Sequence, residues 1–110
     1  MEFYKKSKPF EQRLHEANNI CAKYIDRKPL IIEYGNETKK CLVPLEMTVS
    51  ELQYHLRKGI RMKSNEATFL MATNPNIILS QNMNISSLYS QYKDKDNFLY
   101  LNLSKESTFG

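Results

Sequence analysis

The sequence predicts an α+β fold in which a mixed β-sheet is crossed by a helix and preceded by further helices. Three observations predict it. Two strand-like runs flank a short Gly/Asn turn between residues 29 and 44. A capping box follows them at once and opens a helix at Thr48. Two later apolar runs, 67–72 and 98–103, carry strand character and are separated by a polar loop and a brief helical stretch.

The elements can be justified in order. Pro9 to Tyr24 reads as a helix: Pro9 suits a first turn, Glu11 favours the N-terminal end of the dipole, and Phe10, Leu14, Ala17 and Cys21 recur on one face. A shorter helical piece at Glu2–Lys6 precedes it. Pro29–Tyr34 is strand-like, Gly35-Asn36-Glu37-Thr38 turns the chain, and Lys39–Pro44 runs back. Thr48 caps the next helix and Glu51 reaches back from the N3 position, so Val49, Leu52, Leu56 and Ile60 share a face. Ala67–Ala72 reads as a strand, Asn74-Pro75-Asn76 as a loop, Ile77–Leu79 as a short strand, Ile85–Tyr92 as a helix and Phe98–Leu103 as the last strand. In that strand Leu99, Leu101 and Leu103 alternate with Phe98 and Tyr100, so the leucines belong to the core and Phe98 faces the added helix. This order is that of a β-grasp sheet, the ubiquitin-like arrangement, although spacing alone also admits another α+β roll.

A chain of 110 residues is the size of one domain. Residues 1–110 are therefore read as a single domain, with 1–25 as an N-terminal helical extension and 104–110 as a flexible tail. Hydrophobic content of 41% beside 25% charged residues is globular. No apolar run approaches the roughly 20 residues of a membrane span, and the opening "MEFYKKSKPF" lacks a secretory h-region. Cys21 and Cys41 form no CxxC, so neither zinc nor a disulfide framework is expected, and a reducing compartment fits. His15 and His55 are isolated. With no catalytic constellation, the expectation is a protein that is not an enzyme and uses neither cofactor nor metal.

The net charge of +4 is uneven, with basic excess in residues 1–28 and 39–63. Such a surface suits nucleic acid, anionic lipid or acidic peptides, although a solvated basic face is the commoner explanation. No RNP, zinc-finger or helix-turn-helix signature accompanies it, so no nucleic-acid partner is expected.

Several segments together are similar to one family. "PFEQR" at 9–13, "DRKPLIIE" at 26–33, "CLVPLEMTVSEL" at 41–52, "LRKGI" at 56–60 and "KDKDNFLYLNLSKESTFG" at 93–110 resemble the autophagy ubiquitin-like modifiers of GABARAP type. The resemblance implies conjugation through the carboxylate of Gly110 to phosphatidylethanolamine. It also implies a cytoplasmic protein that sits on the autophagosomal membrane when lipidated. The implied partners are activating and conjugating enzymes, a deconjugating cysteine protease, and receptors with aromatic-x-x-aliphatic motifs. Glycine has no Cβ to obstruct a narrow channel, and its free φ/ψ lets a tail thread through it. Two readings stand beside this one: a modifier joined to protein rather than lipid, and an unconjugated adaptor that binds peptides or microtubules through its basic N-terminal helices.

The resemblance further implies a docking strand at Lys40–Pro44. Its aromatic pocket would comprise Glu16, Ile20, Pro29, Lys40, Leu42 and Phe98. Its aliphatic pocket would comprise Val43, Pro44, Met47, Leu52 and Leu56, with Cys41 and His55 at the margin and Arg27 and Arg57 as an electrostatic rim. The chain departs from the family pattern in a shorter hairpin turn, with Thr38 at a basic position. Cys41 stands for an aromatic residue, His55 for an apolar one, Gly59 for a basic one and Asn97 for a glycine. These changes bear on partner choice more than on the C-terminal reaction.

Overall fold

In the computed structural model, residues 3–59, 67–73 and 76–105 are described, with the side chain of Phe3 excepted. Their elements are α1 (Phe3–Ser7), α2 (Phe10–Lys23), β1 (Arg27–Tyr34), β2 (Glu37–Pro44), α3 (Val49–Gly59), β3 (Thr68–Thr73), β4 (Asn76–Ile78), α4 (Ile85–Tyr92) and β5 (Leu99–Lys105). Every expected element is present. Ile60, the Asn74-Pro75 loop, the Glu2 end of the first helix and the tail from Glu106 to Gly110 lie outside the described residues.

One five-stranded sheet runs β2-β1-β5-β3-β4. β1 pairs antiparallel with β2 and parallel with β5, which makes the sheet mixed and places the last strand at its centre. Gly35 turns the first hairpin at φ +58°, a left-handed conformation that glycine adopts without steric cost. Asn97 takes the same region at φ 68° just before β5, and asparagine is among the few side chains that tolerate it. An asparagine thus does the conformational work of the glycine that the family pattern leads one to expect there.

The alternation read from β5 is realised. Leu99, Leu101 and Leu103 join Leu30, Ile32, Leu70 and Ala72 against Val49, Leu52 and Leu56 of α3 and Ile85 and Leu88 of α4. Each fully buried Leu, Ile or Val among them contributes about 1.5–3 kcal/mol. On the opposite face Ile31, Phe98 and Tyr100 pack with Tyr4 of α1 and Ala17 of α2, and Ile20 leans on them. The N-terminal helices thus cover what would otherwise be a bare second face of the sheet.

Two expectations need correction. On α2 the buried positions are Arg13 and Ala17, whereas Phe10 is 39% exposed. The inward turn is taken by a guanidinium because a buried carboxylate waits beneath it: Arg13 Nη1 donates to Asp96 Oδ2 at 2.5 Å. The last strand also begins one residue later than expected and runs on through Ser104 and Lys105, which pair with Phe69 and Thr68. The expected flexible tail therefore cannot start at Ser104; two of its residues belong to the sheet.

Candidate peptide-docking site

β2 lies at the edge of the sheet, and among the described residues no strand covers its outer side. Its unpaired main-chain groups are the requirement for adding a partner strand. In the hairpin register Lys40 sits opposite Ile31 and Leu42 opposite Pro29, which turns this pair toward α2. Cys41 sits opposite Leu30 and Val43 opposite Lys28, and both pack into the core beneath α3. One edge strand therefore borders two seams, one on each face of the sheet.

On the α2 seam the structure brings together most of the aromatic-pocket residues. Phe98 is wholly buried and forms the floor. Pro29 is buried, Leu42 and Ile20 are half-buried, and Glu16 and Lys40 form an ion pair across the seam. Tyr4, which was not singled out from the sequence, belongs to the same cluster. Its ring meets Phe98 edge-to-face at 5.4 Å, its hydroxyl donates to Glu16, and the Lys40 ammonium lies 5.1 Å from its ring centroid. Lys8 adds a second cation to Glu16 at 3.2 Å. The signal for Tyr4 was available as an aromatic residue in the short helix "FYKKS", but nothing local says which face of the sheet that helix meets.

Partial burial opposes ionisation of Glu16, but hydrogen bonds from Lys40, Tyr4 and Lys8 outweigh it and hold the carboxyl at about 2. Burial, reinforced by the bond to Glu16, pushes the Tyr4 phenol up to about 12. Tyr4 is thus a neutral donor and Glu16 an anion across the physiological range. Together with Lys40 they form a polar latch over the Phe98 floor.

On the α3 seam Val43, Pro44, Met47, Leu52 and Leu56 line one cavity of about 180 Å³. Cys41 and His55 also line it, and Lys39 and Leu42 complete the wall. Desolvation raises the Cys41 thiol and the nearby Lys39 charge offsets this only in part, so the group serves as a small apolar wall. The Thr48–Glu51 capping box forms in both directions: Glu51 N–H donates to Thr48 Oγ1 at 3.2 Å, and Thr48 N–H donates to Glu51 Oε1 at 3.0 Å. Met47 is fixed by its neighbours, since Ile85 N–H donates to its carbonyl at 2.9 Å and Val49 N–H to that of Met83 at 2.8 Å.

The electrostatic rim is only partly assembled. Arg27 is exposed at the start of β1, opposite Pro44. Arg57 instead donates to Thr68 Oγ1 on β3 at 3.1 Å, and two strands separate β3 from β2. Helix α3 crosses the sheet, so a residue one position beyond Leu56 leans toward β3 and away from the docking edge.

This architecture, with a five-stranded mixed sheet, a crossing helix after the first hairpin and two helices ahead of it, defines a ubiquitin-like protein with an N-terminal extension. The family model for the autophagy protein Atg8, ubiquitin-like, matches residues 12–110. The autophagy-related protein 8 of Pichia angusta is 40% identical over 115 residues, spanning 97% of this chain and 90% of its own. The crystal structure of Trypanosoma brucei ATG8 superposes with a TM-score of 0.87 at 33% identity, covering 97% of both chains. Plasmodium falciparum Atg8, solved in complex with a Plasmodium falciparum Atg3 peptide, gives a TM-score of 0.78 at 32% identity, with 91% and 93% covered. The chain belongs to the Atg8 family of ubiquitin-like autophagy modifiers, and such proteins are not enzymes.

Proposed function

We propose that this chain is conjugated through the carboxylate of Gly110 to phosphatidylethanolamine and, once on an autophagic membrane, docks partner segments bearing an aromatic-x-x-aliphatic motif along β2. The observation that carries the docking half is the pair of seams on opposite faces of the sheet. In an added strand, residues three apart point to opposite faces, because side chains alternate with period two. An aromatic residue then enters the α2 seam toward Phe98, and the aliphatic residue three positions later enters the cavity lined by Val43, Met47, Leu52 and Leu56. Filling each contributes about 1.5–3 kcal/mol. Together with main-chain bonds this suits micromolar affinity, about 8 kcal/mol. The peptide in the Plasmodium falciparum complex supports a conjugating enzyme among the partners.

The conjugation half rests on family membership. The carboxylate attacks ATP to give an acyl adenylate and pyrophosphate. An enzyme thiolate displaces AMP to form a thioester, which passes to a second cysteine. The lipid amine then attacks the thioester carbonyl, forming the amide and releasing the thiol. The chain supplies only the carboxylate that attacks ATP, the partner enzymes supply the thiolates and the lipid supplies the amine; a cysteine protease reverses the bond by hydrolysis. Two acyl chains, at about 0.8 kcal/mol per buried CH₂, anchor a protein that one chain would hold only marginally. In this reading the unconjugated pool is cytoplasmic.

Intact-mass spectrometry of the membrane-bound protein tests the proposal. A diacyl phosphatidylethanolamine adduct on Gly110 is expected, and Gly110→Ala should abolish membrane attachment while sparing peptide binding. Membrane entry by the alanine variant at the wild-type level would defeat the conjugation reading.

A further inference from the structure

We infer that the cleft between the N-terminal helices and the segment 92–95 is a second docking site, and that its occupant is an acidic peptide segment of a partner protein. The cleft encloses about 470 Å³, against 180 and 240 Å³ for the two cavities beside β2. That lies within the range of cavities that hold specific ligands, roughly 300–1,000 Å³.

Its lining alternates cations with aromatic faces. Lys5 lies 4.8 Å from the centroid of the Tyr100 ring at the base, and the Arg13 guanidinium lies 5.6 Å from that of Phe10 on the wall. Those two cations already have carboxylate partners, Asp94 at 2.6 Å and Asp96 at 2.5 Å. Lys93 and Lys95 do not: among the described residues no carboxylate lies within ion-pair distance of either, both are exposed, and the Lys93 ammonium has only the Tyr89 ring, 5.6 Å from its centroid. They are held in a fixed turn, in which Asp94 N–H donates to the Phe98 carbonyl at 2.8 Å and Asn97 N–H to that of Asp94 at 3.0 Å. The cleft therefore presents two ammonium groups without carboxylate partners beside the exposed ring of Phe10, which the core does not use. A segment in which carboxylates alternate with an aromatic side chain complements both features; a phosphate headgroup would use the lysines and leave the aromatic faces idle.

Its location makes the site independent of β2. Thr73 Oγ1 donates to the Tyr100 carbonyl at 3.4 Å, placing the cleft at the β3 side of the sheet, two strands from the docking edge. Along β5, Tyr100 and Lys105 are five residues apart, about 17 Å at strand rise. The cleft is thus at the far end of β5 from Lys105. A partner carrying both an acidic segment and an edge-strand motif would engage two sites at once, and its affinity would gain by effective concentration.

The test is an NMR titration of the ¹⁵N-labelled full chain with the capped peptide Glu-Glu-Phe-Glu-Glu. Saturable shifts are expected at the amides of Thr73, Lys93, Lys95 and Tyr100. Lys93→Glu with Lys95→Glu should raise the dissociation constant at least about tenfold while leaving affinity for an aromatic-x-x-aliphatic peptide unchanged. Shifts confined to β2, no saturation, or an unaffected double variant would each overturn the inference. So would phosphatidylserine vesicles that perturb these amides where the peptide does not.

Discussion

Replacing Asp96 by alanine should be among the most damaging single changes outside the central core. Asp96 is fully buried, and its carboxylate accepts from Arg13 Nη1 at 2.5 Å, from the Tyr100 hydroxyl at 2.5 Å and from the Phe98 amide at 2.9 Å. Its removal leaves Arg13, only 8% exposed, with the Lys8 carbonyl at 3.0 Å but without its hydrogen-bonded counter-charge. Breaking a buried pair from one side costs about 3–5 kcal/mol. The orphaned Phe98 amide belongs to the same network, so its cost is not added separately. For a domain of this size 1 kcal/mol moves Tm by about 4–8 °C, so a fall of at least about 12 °C is expected by calorimetry. Arg13→Met placed in the Asp96→Asn background should recover stability, because it removes the stranded cation. Urea denaturation of the two singles and the double measures that coupling. A cost below about 1 kcal/mol for Asp96→Ala, or strict additivity in the cycle, would refute the reasoning, since contacting groups in one network couple by about 0.5–3 kcal/mol.

Two further predictions concern the docking seams. Lys40→Ala combined with Leu42→Ala should weaken an aromatic-x-x-aliphatic peptide by about tenfold or more in calorimetry while leaving conjugation intact; unchanged affinity would place the partner strand elsewhere. The Glu16 latch should open with acid. Its carboxyl is depressed from 4.5 to about 2, so its contribution is fully present above pH 4.5 and is lost as pH falls through about 2. The α1 amide resonances should report that step, and Glu16→Gln should remove it; an identical acid profile in the variant would show that the latch does not hold α1.

What the sequence made legible was governed by local periodicity and capping. The alternation from Phe98 to Leu103 assigned each side chain to the correct face, and Thr48 with Glu51 marked the start of α3 to the residue. What stayed hidden depended on partners far along the chain. Arg13 looks like a surface residue until Asp96, 83 positions later, is placed beneath it. Tyr4 looks like one aromatic residue in a charged helix until Phe98 meets its ring. Phe10 reads as the inner face because hydrophobic pattern cannot anticipate that a salt bridge has taken its place. Ser104 and Lys105 carry no strand signature of their own and are ordered by pairing with β3. The resemblance puts Arg57 at the docking rim, but its bond to Thr68 Oγ1 on β3 depends on a strand that pattern alone does not place beside it.

Three of the departures from the family pattern, Cys41, His55 and Gly59, lie on or beside the α3 seam, and the structure links two of them through Lys39. A Cβ built on Gly59 would come within 2.9 Å of Lys39 Nζ, so the ammonium of β2 already occupies the space a side chain at 59 would claim. Lys39 and Leu56 also line both the 180 Å³ cavity and its 240 Å³ neighbour under the hairpin. A side chain at 59 would make the Lys39 ammonium, at the end of a flexible stem, shift aside, and a basic one would also repel it; with glycine at 59 the charge comes from β2. The cation consequently sits on a flexible stem at the boundary of two cavities rather than at the end of a helix. Cys41 in place of a larger ring widens the same wall. The expected consequence is a seam whose charge can swing aside for a bulkier apolar residue, and it follows from positions that no single-residue comparison would connect.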